Sequence, residues 1–164
     1  MPSLLLVRHA IAEARGDSWP DDALRPLSKK GKARMQRIAE RLMAIGEIAP
    51  VVLTSPLARA VATARILADN WNPTPRVVVT AALAPGFSPA ATAAALGGGL
   101  TGARVALVGH EPGLGEFAAW LTGAQIPVPF KKGGAARIDA VSPLRPGCGQ
   151  LVWLVTPKLV RAGD

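Results

Sequence analysis

Leu4-Leu5-Leu6-Val7 runs directly into Arg8-His9, and the reading of this stretch decides the fold. Four apolar residues in succession suit a short strand buried on both faces, as in a parallel sheet covered by helices. A guanidinium and an imidazole at its C-terminal end stand where α/β proteins place their chemistry. The second of the chain's two histidines repeats the setting, because Val105-Ala106-Leu107-Val108-Gly109 leads straight into His110. Two strands therefore deliver one histidine each to the same edge of a sheet.

The remaining elements follow outward from these two strands. Residues 11–27 read as a polar loop punctuated by Gly16, Pro20 and Pro26. Ser28 caps a helix over 29–45, where Met35, Ile38, Leu42 and Ile45 form an apolar stripe at helical spacing, and Gly46 ends it. Val51-Val52-Leu53 is a second strand, and Thr54-Ser55-Pro56 opens a helix reaching residue 70. Val77-Val78-Val79 is a third strand, and an alanine-rich helix over 88–96 stops at Gly97-Gly98-Gly99. After the strand that ends at His110, Pro112 starts a helix to residue 121. Residues 136–141 and 151–155 form an antiparallel pair across a Pro/Gly-rich turn. Strands alternating with helices, plus a mixed edge, predict a three-layer α/β/α sandwich with a mostly parallel sheet.

Composition narrows the classes of function. At 164 residues the chain is expected to be one domain, 1–164, and a monomer. Apolar residues make up 49%, which excludes disorder, and no apolar run approaches the roughly 18 residues of a membrane span. No signal layout is evident and Cys148 is the lone cysteine, so a cytoplasmic location is expected. Cys148 sits in a turn with no basic neighbour to lower its pKa and reads as a bystander. The net charge of +8 suits an anionic partner. There is no Tyr, only three Phe and no interleaving of aromatic with basic residues, so a nucleic-acid platform is not expected. Two histidines without a spaced carboxylate cluster make no Zn site, and no Gly-rich turn for a dinucleotide follows the first strand. No metal or other cofactor is expected.

Arg8, His9, Arg59 and His110 all fall at strand ends or one helical turn beyond them. Two guanidiniums grip a phosphoryl group through paired hydrogen bonds. One neutral imidazole attacks phosphorus, and a second donates to a non-bridging oxygen. A helix starting near Pro56 would turn its positive end toward the same anion.

Four segments in this order carry a resemblance. They are Leu6-Val7-Arg8-His9-Ala10, then Arg25-Pro26-Leu27-Ser28 with Gly31, then Thr54-Ser55-Pro56-Leu57-Ala58-Arg59-Ala60 with Thr63, and Val108-Gly109-His110. Together they resemble the histidine phosphatase (phosphoglycerate mutase-like) superfamily, and the short chain without a large cap insertion is most similar to its SixA-type phosphohistidine phosphatases. The resemblance implies that His9 is the nucleophile and forms a phosphohistidine intermediate. It further implies that Arg8 and Arg59 hold the phosphoryl oxygens and that His110 completes the pocket. Ala10 stands where the superfamily pattern has Gly. Ser28 and Ser55 are secondary candidates for phosphate binding, each equally explicable as a helix cap.

Phosphomonoester enzymes of this type commonly carry an acid on the segment after the third strand, which protonates the leaving alkoxide. Residues 80–88 contain none, and no Asp or Glu occurs between Asp69 and Glu111. A nitrogen leaving group that arrives protonated needs less help, which favours a phosphoramidate such as phosphohistidine. Glu13 and Glu111 are the candidate acids or bases, although Glu13 and the neighbouring Asp17, Asp21 and Asp22 equally well offset Arg15 and Arg25. The expected partner is a phosphorylated protein, for instance a histidine phosphotransfer domain, with few residues available for a lid and Lys131-Lys132 at the rim. The alternatives are a small phosphate compound as substrate, or a phosphate-binding module with little turnover.

Overall fold

A computed structural model describes residues 1–97, 100 and 104–162. The six strands form one sheet: β1 (Ser3–Arg8), β2 (Val51–Thr54), β3 (Arg76–Val79), β4 (Arg104–Gly109), β5 (Ala135–Ala140) and β6 (Gly149–Val155). Their spatial order is β3-β2-β4-β1-β5-β6. The β3-β2, β2-β4 and β4-β1 pairs are parallel, whereas β5 runs antiparallel to both β1 and β6. The expected parallel sheet with an antiparallel edge is what the chain adopts.

Alternation along β1 divides the core into two. Leu5 and Val7 point to one face, where they pack with Met35, Ile38 and Leu42 of α1 (Lys29–Ala44) and Leu67 of α2 (Ala58–Asn70). Leu4 and Leu6 point to the other and meet Ala93 of α3 (Pro89–Leu96), together with Leu114, Phe117 and Leu121 of α4 (Gly113–Thr122). Both faces of the Leu4–Val7 run are therefore buried, which is why it is apolar throughout until Arg8. Each fully buried Leu or Ile contributes about 1.5–3 kcal/mol relative to exposure.

Local chemistry sets the helix starts. The Ser28 hydroxyl accepts from the Gly31 N–H at the start of α1, and Ser88 does the same for Ala91 in α3, followed by Pro89 in the first turn. Three expectations are corrected. Helix α1 ends at Ala44, so Ile45 leaves the stripe and is 67% exposed, because Gly46 (φ 75°) turns the chain out first. Thr54 still belongs to β2, and α2 begins only at Ala58. A short helix α5 (Pro157–Arg161) follows β6 where none was expected. Gly97 caps α3, while Gly98 and Gly99 of the expected stop lie outside the described residues. Among the described residues no helix is long and apolar enough to cross a membrane.

Candidate active site

Strand β4 lies between β1 and β2, so the C-terminal ends of three parallel strands meet at one place, with Arg8 opposite Gly109 and Thr54 opposite Val108. The ladder continues one residue past the strands. The His9 N–H donates to the Gly109 carbonyl and the Ser55 N–H to that of Val108, both at 3.0 Å. His9 and His110 consequently face each other with ring centroids 5.1 Å apart and planes tilted by 53°.

His9 is 6% exposed, and its Nδ1 stands 2.7 Å from the Ala10 carbonyl oxygen. A carbonyl only accepts, so Nδ1 carries the hydrogen and Nε2 keeps the lone pair. The backbone around it is tied from two sides. The Ala10 N–H donates to Thr63 Oγ1 (3.0 Å), whose hydroxyl donates to the Arg59 carbonyl (2.8 Å). From the other side the Gly133 N–H donates to the carbonyls of Arg8 and His9, both at 3.1 Å. Gly133 does so at φ +77°, a conformation that favours glycine. Burial pulls the His9 pKa down from 6.5 to about 3, with the positive charge of Arg59 and Arg8 acting in the same direction. Burial and the same two guanidiniums bring His110 down to about 4. Both rings are neutral near pH 7.

The arginines reach the site from three elements. Arg59, in the first turn of α2 and 4% exposed, places Nη2 3.0 Å from Asp22 Oδ2 and donates from Nη1 to the Asp22 carbonyl (2.8 Å). Buried Arg25 donates from Nε to Asp22 Oδ1 (2.8 Å) and from Nη1 to the Glu13 carbonyl (2.7 Å). Arg8 donates from Nη1 to the Phe130 carbonyl (2.8 Å). Held by Arg25 and Arg59, the Asp22 carboxyl lies below the usual carboxylate range and stays ionised. Arg8 Nε, Arg59 Nε and His110 Nδ1 are buried without a hydrogen-bond partner. Their residues line one cleft of about 530 Å³. Two guanidinium donors and an imidazole nitrogen left unpaired beside one cleft suit an oxyanion that they would share.

Of the expected site residues, the cleft brings together Arg8, His9, Arg59 and His110, with Glu13 and Glu111 also in its lining. Glu13 is exposed at the rim. Glu111 is half-buried, its Oε1 accepts the Gly115 N–H (2.8 Å), and burial raises its carboxyl above the ordinary value. Ser28 is not brought to the cleft, because its hydroxyl accepts from Gly31 and donates to the Ile11 carbonyl at the start of α1. Ser55 is fully buried, and its Oγ lies 2.7 Å from His110 Nε2 while accepting from the Leu57 N–H. It acts on His110 rather than lining the cleft. Arg25, Asp22 and Thr63 were missed as site residues. Arg25 and Thr63 lie inside the segments that carry the resemblance, and Asp22 stands among the first-loop acids read as alternative acids or counter-charges, not as a clamp on the arginines. Among the described residues no three His, Cys, Asp or Glu side chains cluster as a metal site requires.

Residues 4–84 match the model of the histidine phosphatase superfamily (branch 1). An uncharacterised protein of Picosynechococcus sp. (strain PCC 7002) is 38% identical over 94% of this chain and 96% of the relative. Among solved structures, the protein histidine phosphatase SixA complexed with tungstate superposes with a TM-score of 0.84 at 24% identity, covering 97% of this chain and 99% of the other. The SixA protein of Agrobacterium tumefaciens gives 0.78 at 23% identity, covering 95% and 98%.

Proposed function

Since the chain belongs to the histidine phosphatase superfamily, branch 1, we propose that it dephosphorylates phosphohistidine on a protein through a phosphohistidine of its own at His9. The lone pair on His9 Nε2 attacks phosphorus as the substrate's P–N bond breaks and its electron pair returns to the leaving nitrogen. The leaving ring, already protonated on its other nitrogen, departs as neutral imidazole. Water then adds to the phosphoryl group, the bond to His9 breaks, and phosphate leaves as H2PO4⁻ with His9 neutral again.

The surrounding groups have separate tasks. Arg8 Nε and Arg59 Nε donate to the phosphoryl oxygens. The Ser55 hydroxyl donates to His110 Nε2, which leaves the His110 Nδ1–H as a third donor. Asp22 clamps Arg25 and Arg59 and, being ionised, supplies no proton.

The observation that carries the choice of substrate is the wall of the cleft after β3. It contributes Pro85 and no carboxyl, so an alkoxide has no strong proton donor there. Glu111 supports a second reading, a phosphomonoesterase for small metabolites, because its carboxyl is raised toward neutral pH beside the cleft. The two readings separate in one assay of phosphate release from a phosphoramidate, a phosphohistidine protein and a panel of monoesters, with EDTA present. His9-dependent release from the P–N substrates alone is expected. Faster turnover of a monoester, impaired in Glu111→Gln or Glu13→Gln, would transfer the assignment to a metabolite phosphatase.

A further inference from the structure

A groove of about 490 Å³ adjoins the catalytic cleft, and Arg8 and Lys132 line both. Its floor is apolar, made by Met35 and Ile38 of α1, and its rim carries Arg34 of α1, Lys131 and Lys132 before β5, and Lys158 of α5. Among the described residues no acidic side chain lines it. Elsewhere Arg104 and Arg137 pair with Glu47, and Arg15, Arg25 and Arg59 with Asp22. Among the described residues no ion pair involves Arg34, Lys131, Lys132 or Lys158. Lys131, Lys132 and Lys158 are exposed, so their charges face an incoming molecule rather than the core.

We propose that this groove docks an acidic segment of the phosphorylated partner, placing carboxylates against Arg34, Lys131 and Lys158 while the phosphohistidine enters the cleft past Lys132. The inference rests on the phosphohistidine-protein reading above and extends it to how the partner is recognised. A phosphoryl group alone needs only the cleft; a set of cations leading away from it matches a ligand that extends beyond the phosphate. A groove lined by one sign of charge, with apolar walls, also concentrates an oppositely charged partner before binding. Nucleic acid would meet the same cations, but the described surface here offers it an aliphatic floor and no aromatic platform for bases.

The test uses two chemically phosphorylated histidine peptides, one with glutamates flanking the phosphohistidine and a twin with glutamines, plus a small phosphoramidate. The glutamate peptide is expected to show a KM about tenfold below that of its twin, the scale of two or three rim ion pairs. In the Lys131→Glu/Lys158→Glu variant that advantage disappears, while hydrolysis of the small phosphoramidate stays within about twofold. Equal KM values for the two peptides, or an advantage that survives charge reversal, would overturn the docking site and leave the phosphohistidine reading standing. Stronger inhibition by polyuridylate than by polyglutamate would overturn it in favour of nucleic acid. If only monoesters are hydrolysed, both the docking site and the reading beneath it fail.

Discussion

An imidazole that attacks phosphorus must be neutral and must present its lone pair on the attacking nitrogen. His9 meets both conditions, through burial and through the Ala10 carbonyl that holds its Nδ1–H. The depressed pKa makes the sign of the pH dependence definite. As pH falls through 6.5 the ring stays neutral, so the acid limb of kcat/KM due to His9 lies nearer 3 than 6.5. A pH–rate profile on a substrate that does not titrate in this range measures it. The same depression acts on stability. Unfolded histidines bind protons that the buried rings refuse, so stability is fully present above about pH 6.5 and is lost as pH falls toward the folded values. Urea unfolding at pH 7.5 and 4.5 should show a smaller difference in His110→Asn than in the parent. Arg59→Lys keeps the charge but loses the planar fork shared between Asp22 and the cleft, and is expected to lower kcat/KM by about 10–100-fold.

At the scale of elements, the loop after His9 is held by two close approaches. A Cβ on Gly31 would run into the Ile11 carbonyl, so glycine lets the first turn of α1 seat against that loop. Gly31→Ala is expected to cost about 1–3 kcal/mol in denaturant unfolding. Thr63→Val removes both bonds of that hydroxyl and strands the buried Ala10 N–H, which costs about 1–3 kcal/mol. Because that N–H belongs to the loop that holds Nδ1 of His9, kcat should fall while KM changes little.

These elements also mark what the sequence could and could not disclose. β1 and β4 were legible because each is an apolar run ending in a histidine, and α1 because its stripe keeps helical spacing. Ile45 continued that spacing yet faces solvent, since periodicity does not register where Gly46 turns the chain. Helix α5 spans less than two turns and leaves no period to read. His9, Arg8, Arg59 and His110 could be singled out by position at strand and helix starts. The clamp of Asp22 on Arg25 and Arg59 could not, because it joins a loop to α2 across 37 residues. Ser55 could be placed near the site, but only its 2.7 Å contact with His110 distinguishes a positioning hydroxyl from a phosphate ligand.

For the molecule as a whole, the sheet order is the decisive feature. Inserting β4 between β1 and β2 brings two histidines that are 101 positions apart in the chain into ring contact. The net charge of +8 adds a positive field around a site that takes an anion. Neither feature requires His9 to form a bond with phosphorus, and that bond is the central claim. Rapid-quench mixing of the protein with a ³²P-labelled phosphohistidine protein, followed by alkaline peptide mapping, tests it most directly. The account predicts a transient, acid-labile and alkali-stable label on the peptide containing His9, absent in His9→Ala. Phosphate release at the full rate by His9→Ala, or a label on any other residue, would contradict it.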